Sequence, residues 1–175
     1  MKVTRARLRT GFVLGLLCSL VSATFLFAGP ANAATVRSYL NNYLGGGHYL
    51  NASDTTQGPV NTDGYNVWSV QSITPSPTTN DMVYLHMGDT MCLDSHAATN
   101  GGAAWVIRCN GGNYQKWEVF YPSNGTRVFK SYGSYTQQRL HLCLSVSGNH
   151  AVIMQTCNTA NTKQQWWSAD APGQG

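Results

Sequence analysis

The residues of this 175-residue chain that could do covalent or metal chemistry are few and widely spaced. Beyond residue 33 there are four cysteines, Cys92, Cys109, Cys143 and Cys157, an even number that suits two disulfides. Zinc is the alternative, but the spacings are too wide for the paired two-residue knuckles of structural zinc sites. Acid–base chemistry has even less to work with, because Glu118 is the only glutamate and the aspartates form no recognisable pair. Neither a Gly-x-Ser-x-Gly elbow nor a His-Glu-x-x-His helix motif occurs. His48, His86, His96, His141 and His150 stand singly among turn and strand residues, as solvated or hydrogen-bonded imidazoles do. These patterns argue against an enzyme, and they call for no cofactor and no metal.

Where the chemistry would take place follows from the first 33 residues. The basic start "MKVTRARLRT", the apolar run "GFVLGLLCSLVSATFLFA" and the closing "GPANA" have the order of a secretory signal peptide, with small residues at Ala31 and Ala33 before a cut ahead of Ala34. A membrane anchor would need a longer run without the Gly29-Pro30 break, and Cys18 lacks the preceding small residue of a lipoprotein site. A secreted, extracellular product of residues 34–175 is therefore expected, in an oxidising setting that favours disulfides. Removing the leader takes Lys2, Arg5, Arg7 and Arg9 with it, so seven basic residues face seven acidic ones. With no cluster of Lys or Arg, neither nucleic acid nor an anionic lipid surface is a suitable partner, and no later run is long enough to insert into a membrane.

The elements that must position the remaining residues repeat along the chain. Trp117 in "CNGGNYQKW" has a counterpart 49 residues earlier at Trp68 ("NVWSV") and another 50 residues later at Trp167 ("QQWWS"). Each tryptophan runs into a proline, in "WSVQSITP", "WEVFYP" and "WWSADAP". Upstream, "YLN" (49–51), "CLD" (92–94) and "CLS" (143–145) open the three units, lying 19, 25 and 24 residues before those tryptophans. Between the landmarks, Gly, Asn, Ser and Thr clusters separate short runs such as "MVYLHM", "AAWVI" and "AVIMQ", with no sustained helical period. Three units of four short strands, at approximately 36–75, 82–122 and 127–170, cannot bury a face alone but can share one core. An all-β domain of pseudo-threefold symmetry, a β-trefoil, is the predicted fold over 34–175. A flat sandwich gives no reason for the period.

The order Cys-Leu-Asp, glycine, second Cys and Gln-x-Trp in "CLDSHAATNGGAAWVIRCNGGNYQKW" (92–117) resembles the ricin-type β-trefoil lectin family. "CLSVSGNHAVIMQTCNTANTKQQWW" (143–167) matches less completely, and "YLNASDTTQGPVNTDGYNVW" (49–68) is a degenerate third copy. The resemblance implies that Trp68, Trp117 and Trp167 pack at the threefold core and that the glutamine amide fixes the neighbouring loop. It also implies disulfides Cys92–Cys109 and Cys143–Cys157, each inside one repeat and each worth about 3 kcal/mol in the chain-entropy model.

In that family a sugar is held by an Asp that accepts hydrogen bonds from vicinal hydroxyls, an aromatic ring stacked on the C–H face, and nearby amides. Such a set suits a ligand with one polar edge and one apolar face. The second repeat keeps Asp94 and Gln115, but Ile107 stands where the stacking aromatic belongs and Tyr114 where an Asn belongs. Strand alternation places Trp105 on the same face as Ile107, so Trp105 can supply the stacking surface. Asp94, Trp105, Tyr114 and Gln115 are thus the candidate carbohydrate contacts. Ser145 and Gln155 in the third repeat and Asn51 in the first leave at most one family-like site. Two readings result. One is a secreted carbohydrate-binding protein whose partner is a glycan or glycoconjugate. The other is a non-catalytic adaptor, a receptor-binding subunit of a secreted, toxin-type assembly, whose partner is a secreted protein.

Overall fold

The computed structural model describes residues 35–43 and 47–170. The signal segment expected over 1–33 lies outside these residues. The strands are β1 (Thr35–Asn42), β2 (Gly58–Pro59), β3 (Val67–Ser72), β4 (Asp81–Met87), β5 (Met91–Asp94), β6 (Trp105–Arg108), β7 (Trp117–Phe120), β8 (Val128–Ser131), β9 (Leu142–Val146), β10 (Val152–Thr156) and β11 (Trp166–Asp170). Six of them close a ring. β1 pairs with β3, β3 with β4, β4 with β7, β7 with β8, and β11 with β1, all antiparallel. The last gap is closed where Arg127 and Trp166 exchange both backbone hydrogen bonds, at 2.8 and 2.9 Å. Closure leaves no free edge in the ring, which removes the principal aggregation hazard of a short-stranded sheet.

Three hairpins cap the ring: the Asn51–Asn61 bridge continuing toward β2, then β5–β6, then β9–β10. They meet on the axis. Val60 N–H donates to the Ala104 carbonyl, Ala104 N–H to the Val152 carbonyl, and Val152 N–H to the Val60 carbonyl, each at 3.0 Å. All three residues are buried, so this cyclic triangle satisfies donors and acceptors that water cannot reach. Strand alternation explains how such a short-stranded chain supplies a core: within β1, Ser38, Leu40 and Asn42 face inward while their neighbours face out.

The tryptophan register corrects one sequence expectation. Trp68 and Trp117 are fully buried as expected, but the third core position belongs to Trp166, which is also fully buried. Trp167 is 39% exposed and lies against Tyr43, with ring centroids 5.7 Å apart. Adjacent strand residues face opposite sides, so only one member of the Trp166-Trp167 pair can enter the core. With Trp166 the repeat spacing becomes 49 residues on both sides, and Gln164-x-Trp166 matches Gln115-x-Trp117. The indole N–H groups of Trp68, Trp117 and Trp166 donate to the carbonyls of Leu50, Leu93 and Leu144 at 2.9, 3.1 and 3.3 Å. Each core indole therefore ties the end of its repeat to the start of the same repeat.

Both expected disulfides, Cys92–Cys109 and Cys143–Cys157, are formed. Three helical elements escape the sequence reading: single 3-10 turns at Asn113–Gln115 and Thr162–Gln164, and α1 (Tyr132–Gln138) between β8 and β9. Ser131 caps it by accepting a hydrogen bond from Ser134 N–H at 3.1 Å, and Arg139 ends it in the left-handed conformation. No helix among the described residues is long and apolar enough to cross a membrane.

Candidate functional site

The four candidate residues lie at the end of the β5–β6 hairpin and in the turn before β7. Asp94, the last residue of β5, pairs directly with Trp105, the first of β6. Asp94 is 4% exposed. The backbone N–H of His96 donates to Asp94 Oδ1 at 2.5 Å. Burial pushes the Asp94 carboxyl above the ordinary aspartate range, and the His96 N–H, the nearby Gln115 amide and the His96 ring only partly offset that rise. A carboxylate kept in such a place is costly to the fold.

Geometry on the other side of the hairpin explains the turn. His96 and Ala97 both take positive φ, near 52°, a conformation unfavourable for residues with a Cβ. The turn aims the His96 backbone donor at Asp94 and lays the imidazole on the Trp105 ring, 4.7 Å between centroids and 22° between planes. Trp105 is half-buried and His96 exposed, so the surface beside Asp94 is a stacked pair of rings rather than a bare indole.

Gln115 fixes the neighbouring loop, the role the family resemblance implies for it. It is fully buried. Its amide N–H donates to the Arg108 carbonyl at 3.0 Å, and its Oε1 accepts from the backbone N–H groups of Asn110 and Gly111 at 2.8 and 3.2 Å. Gln164 repeats the latch, donating to the Thr156 carbonyl at 2.9 Å and accepting from Asn158 N–H at 2.8 Å. Gln115 is therefore a positioning residue that holds the Arg108–Gly111 loop. Tyr114 is also diverted. It sits on Gly133 of α1 so closely that a Cβ at 133 would come within 2.5 Å of its Cδ1, and its carbonyl accepts from Ser95 N–H at 3.0 Å. Among the described residues, no hydrogen bond or ring contact joins the Tyr114 side chain to Asp94 or Trp105. The structure thus brings together Asp94, Trp105 and Gln115, adds His96, and sets Tyr114 against the helix. The Asp94-x-His96 spacing was the available signal for His96, but only the left-handed turn makes it meaningful.

The equivalent places in the other repeats are closed by their own polar contacts. Ser145 donates to Gln155 Oε1 at 3.1 Å. In the first repeat, Asn51 Nδ2 donates to Asn61 Oδ1 at 2.9 Å. Asp94 is the only carboxylate at these three positions. His86, half-buried in β4, shares a hydrogen bond with Gln71 Oε1 at 2.8 Å and sets Nδ1 3.4 Å from both sulfurs of the Cys92–Cys109 disulfide.

This geometry agrees with comparison to known proteins. The ricin-type beta-trefoil lectin domain family matches residues 47–166, and the chain belongs to that family. No curated protein sequence matches the chain significantly. Among solved structures, the designed threefold-symmetric protein ThreeFoil is similar with a TM-score of 0.61 at 20% identity, covering 77% of this chain and 99% of that one. A Polyporus squamosus lectin, bound to the human-type influenza-binding epitope Neu5Aca2-6Galb1-4GlcNAc, gives 0.59 at 18% identity, covering 78% of this chain and 49% of the lectin. A mosquitocidal holotoxin gives 0.62 at 13% identity, covering 79% of this chain but 17% of the toxin. At these identities the likeness is one of fold, the β-trefoil.

Proposed function

We propose that residues 34–175 form an exported, non-catalytic carbohydrate-binding domain, released by removal of residues 1–33, that engages a glycan at the second repeat. Asp94 accepts hydrogen bonds from vicinal hydroxyls, the Trp105–His96 pair offers an apolar stacking surface, the His96 backbone N–H holds the carboxylate in place, and Gln115 fixes the loop beside it. The observation that carries this reading is the retention of Asp94. Of three equivalent positions it alone is a carboxylate, and it is kept nearly buried, where its charge opposes folding unless a ligand or a fixed donor uses it.

The test is a glycan array probed with the secreted protein beside Asp94→Ala and Trp105→Ala. Wild type should retain a subset of glycans, and each variant should lose them by roughly 1–3 kcal/mol while unfolding at a similar temperature. Variants that bind every glycan as wild type does would remove the site from the second repeat. The second reading, an adaptor or receptor-binding subunit of a secreted assembly, is favoured by the departures at Ile107 and Tyr114 and by the imidazole covering one side of Trp105. It expects no glycan retained at millimolar concentration and a secreted protein that survives washing in a pull-down from culture fluid.

A further inference from the structure

The first repeat lacks the disulfide that opens the other two, and what replaces it is an aromatic cluster. Tyr49 precedes Leu50 as Cys92 precedes Leu93 and Cys143 precedes Leu144, and those three leucine carbonyls receive the three core indoles. The register Ser38↔Trp68 matches Val83↔Trp117, which makes Tyr39 the counterpart of Tyr84. Tyr65 stands before Asn66-x-Trp68 as Tyr114 stands before Gln115-x-Trp117. Only in the first repeat is the cysteine position also a tyrosine. The rings of Tyr39, Tyr49 and Tyr65 consequently meet, with centroids 6.1, 6.1 and 6.4 Å apart and planes inclined at 69 to 70°.

Three nearly equal separations and three nearly equal inclinations describe the walls of a cup, and a surface concavity of about 300 Å³ is lined by these three residues. A purely structural replacement for a disulfide would be covered, yet Tyr65 is 71% exposed. Among the described residues, none of the three hydroxyls has a hydrogen-bond partner and no carboxylate or amide lines the cup. The phenol hydroxyls could meet a sugar's edge, but the lining lacks the carboxylate and paired amides that fix a sugar's vicinal hydroxyls. It suits a cation that makes no hydrogen bonds, attracted by the negative faces of several rings. We propose that Tyr39, Tyr49 and Tyr65 form a binding site for a quaternary ammonium group, the chemistry shared by free choline and a choline lipid headgroup. The site is separate from the one around Asp94 and does not depend on it.

The test titrates the full secreted chain with choline and with its neutral isostere 3,3-dimethyl-1-butanol, following tyrosine ring resonances and binding heat. Choline should bind saturably, and the isostere at least about tenfold more weakly. Tyr65→Ala should abolish the response and Tyr65→Phe should keep it, since the ring face and not the hydroxyl is used. Because Tyr65 is exposed, both variants should unfold as wild type does. Phosphatidylcholine vesicles separate the sources: retention that Tyr65→Ala abolishes assigns a headgroup, and choline binding without retention assigns a soluble ligand. Equal binding of the neutral isostere, choline binding untouched by Tyr65→Ala, or no saturable response up to about 50 mM choline would overturn the proposal.

Discussion

Trp166 and Trp167 are neighbours of identical type, and the fold predicts opposite consequences for removing them. Trp166 is fully buried and its indole donates to the Leu144 carbonyl at 3.3 Å. Trp166→Ala removes the ring from a packed core, a change that costs about 3–5 kcal/mol. It also strips the carbonyl of a buried partner, adding about 1 kcal/mol or more. Against a total stability of roughly 5–15 kcal/mol, that leaves a marginal or unfolded domain. Trp167 is 39% exposed and its main losses are the tilted contact with Tyr43 and the packing over Gly125, where a Cβ would lie 3.3 Å from the ring. Trp167→Ala should therefore cost about 1 kcal/mol. Urea unfolding followed by far-UV circular dichroism measures both without relying on the indole fluorescence that the substitutions change. A gentler pair, Trp166→Phe against Trp167→Phe, keeps the comparison measurable if the alanine variant does not fold. Equal losses for the two positions, or a larger loss at Trp167, would refute the assignment of Trp166 to the threefold core.

Three further outcomes are expected. Because burial raises the folded-state pKa of Asp94, the neutral form favours folding: that contribution is fully present below the unfolded aspartate value and is lost as pH rises through the folded value. Asp94→Asn should thus unfold at least as high as wild type at neutral pH, with melting temperatures from about pH 3 to 7 showing the difference vanish in acid, while glycan retention is lost. Glu118 has the opposite sign: burial raises its pKa, but hydrogen bonds from Asn80 at 2.7 Å and Lys130 at 3.0 Å outweigh it, so its contribution is present above the unfolded carboxyl value and lost as pH falls through the folded one. Glu118→Ala, which strands a largely covered Lys130, should cost about 3 kcal/mol in urea unfolding at neutral pH and less in acid. Replacing Cys143 and Cys157 together by alanine should lower stability by about 3 kcal/mol, read from the urea midpoint, because a loop with separation 14 is no longer closed in the unfolded chain.

What the sequence made legible was whatever repeats. Trp68 and Trp117 recur at the ends of their units, and a central leucine (Leu50, Leu93, Leu144) recurs at the starts, and recurrence at one spacing is enough to specify a shared core. The choice between Trp166 and Trp167 depended on strand phase, which two adjacent identical residues conceal and which Gln164 would have supplied. The helix α1, "YGSYTQQ", carries no apolar stripe; Ser131 caps it, a local signal, and Gly133 admits Tyr114, a tertiary fact that the sequence does not show. The candidate site was legible as residue types but not as exposures. Asp94 followed from the family resemblance and Trp105 from strand alternation, whereas the full burial of Gln115 depends on a loop latch, and the arrival of His96 on the indole on a left-handed turn that single-residue preferences argue against.

The same frame explains why the three repeats can differ so much in chemistry. Near the axis, the demands are met by backbone: the Val60, Ala104 and Val152 triangle uses only main-chain groups, and the three leucine acceptors are carbonyls. Backbone contacts tolerate substitution of the side chains around them, so each repeat is free to close its outer loop in its own way. The second and third do so with disulfides and glutamine latches, the first with tyrosines and paired asparagines. A covalent bridge holds a loop at no cost in surface, which leaves Asp94 able to carry a carboxylate that opposes folding. Without a bridge, the first repeat gathers apolar rings where the others have sulfur, and rings at a surface present faces that sulfur does not. Divergence at the rim is thus a physical consequence of symmetry enforced at the axis, and it places a polar acceptor on one repeat and an aromatic cup on another.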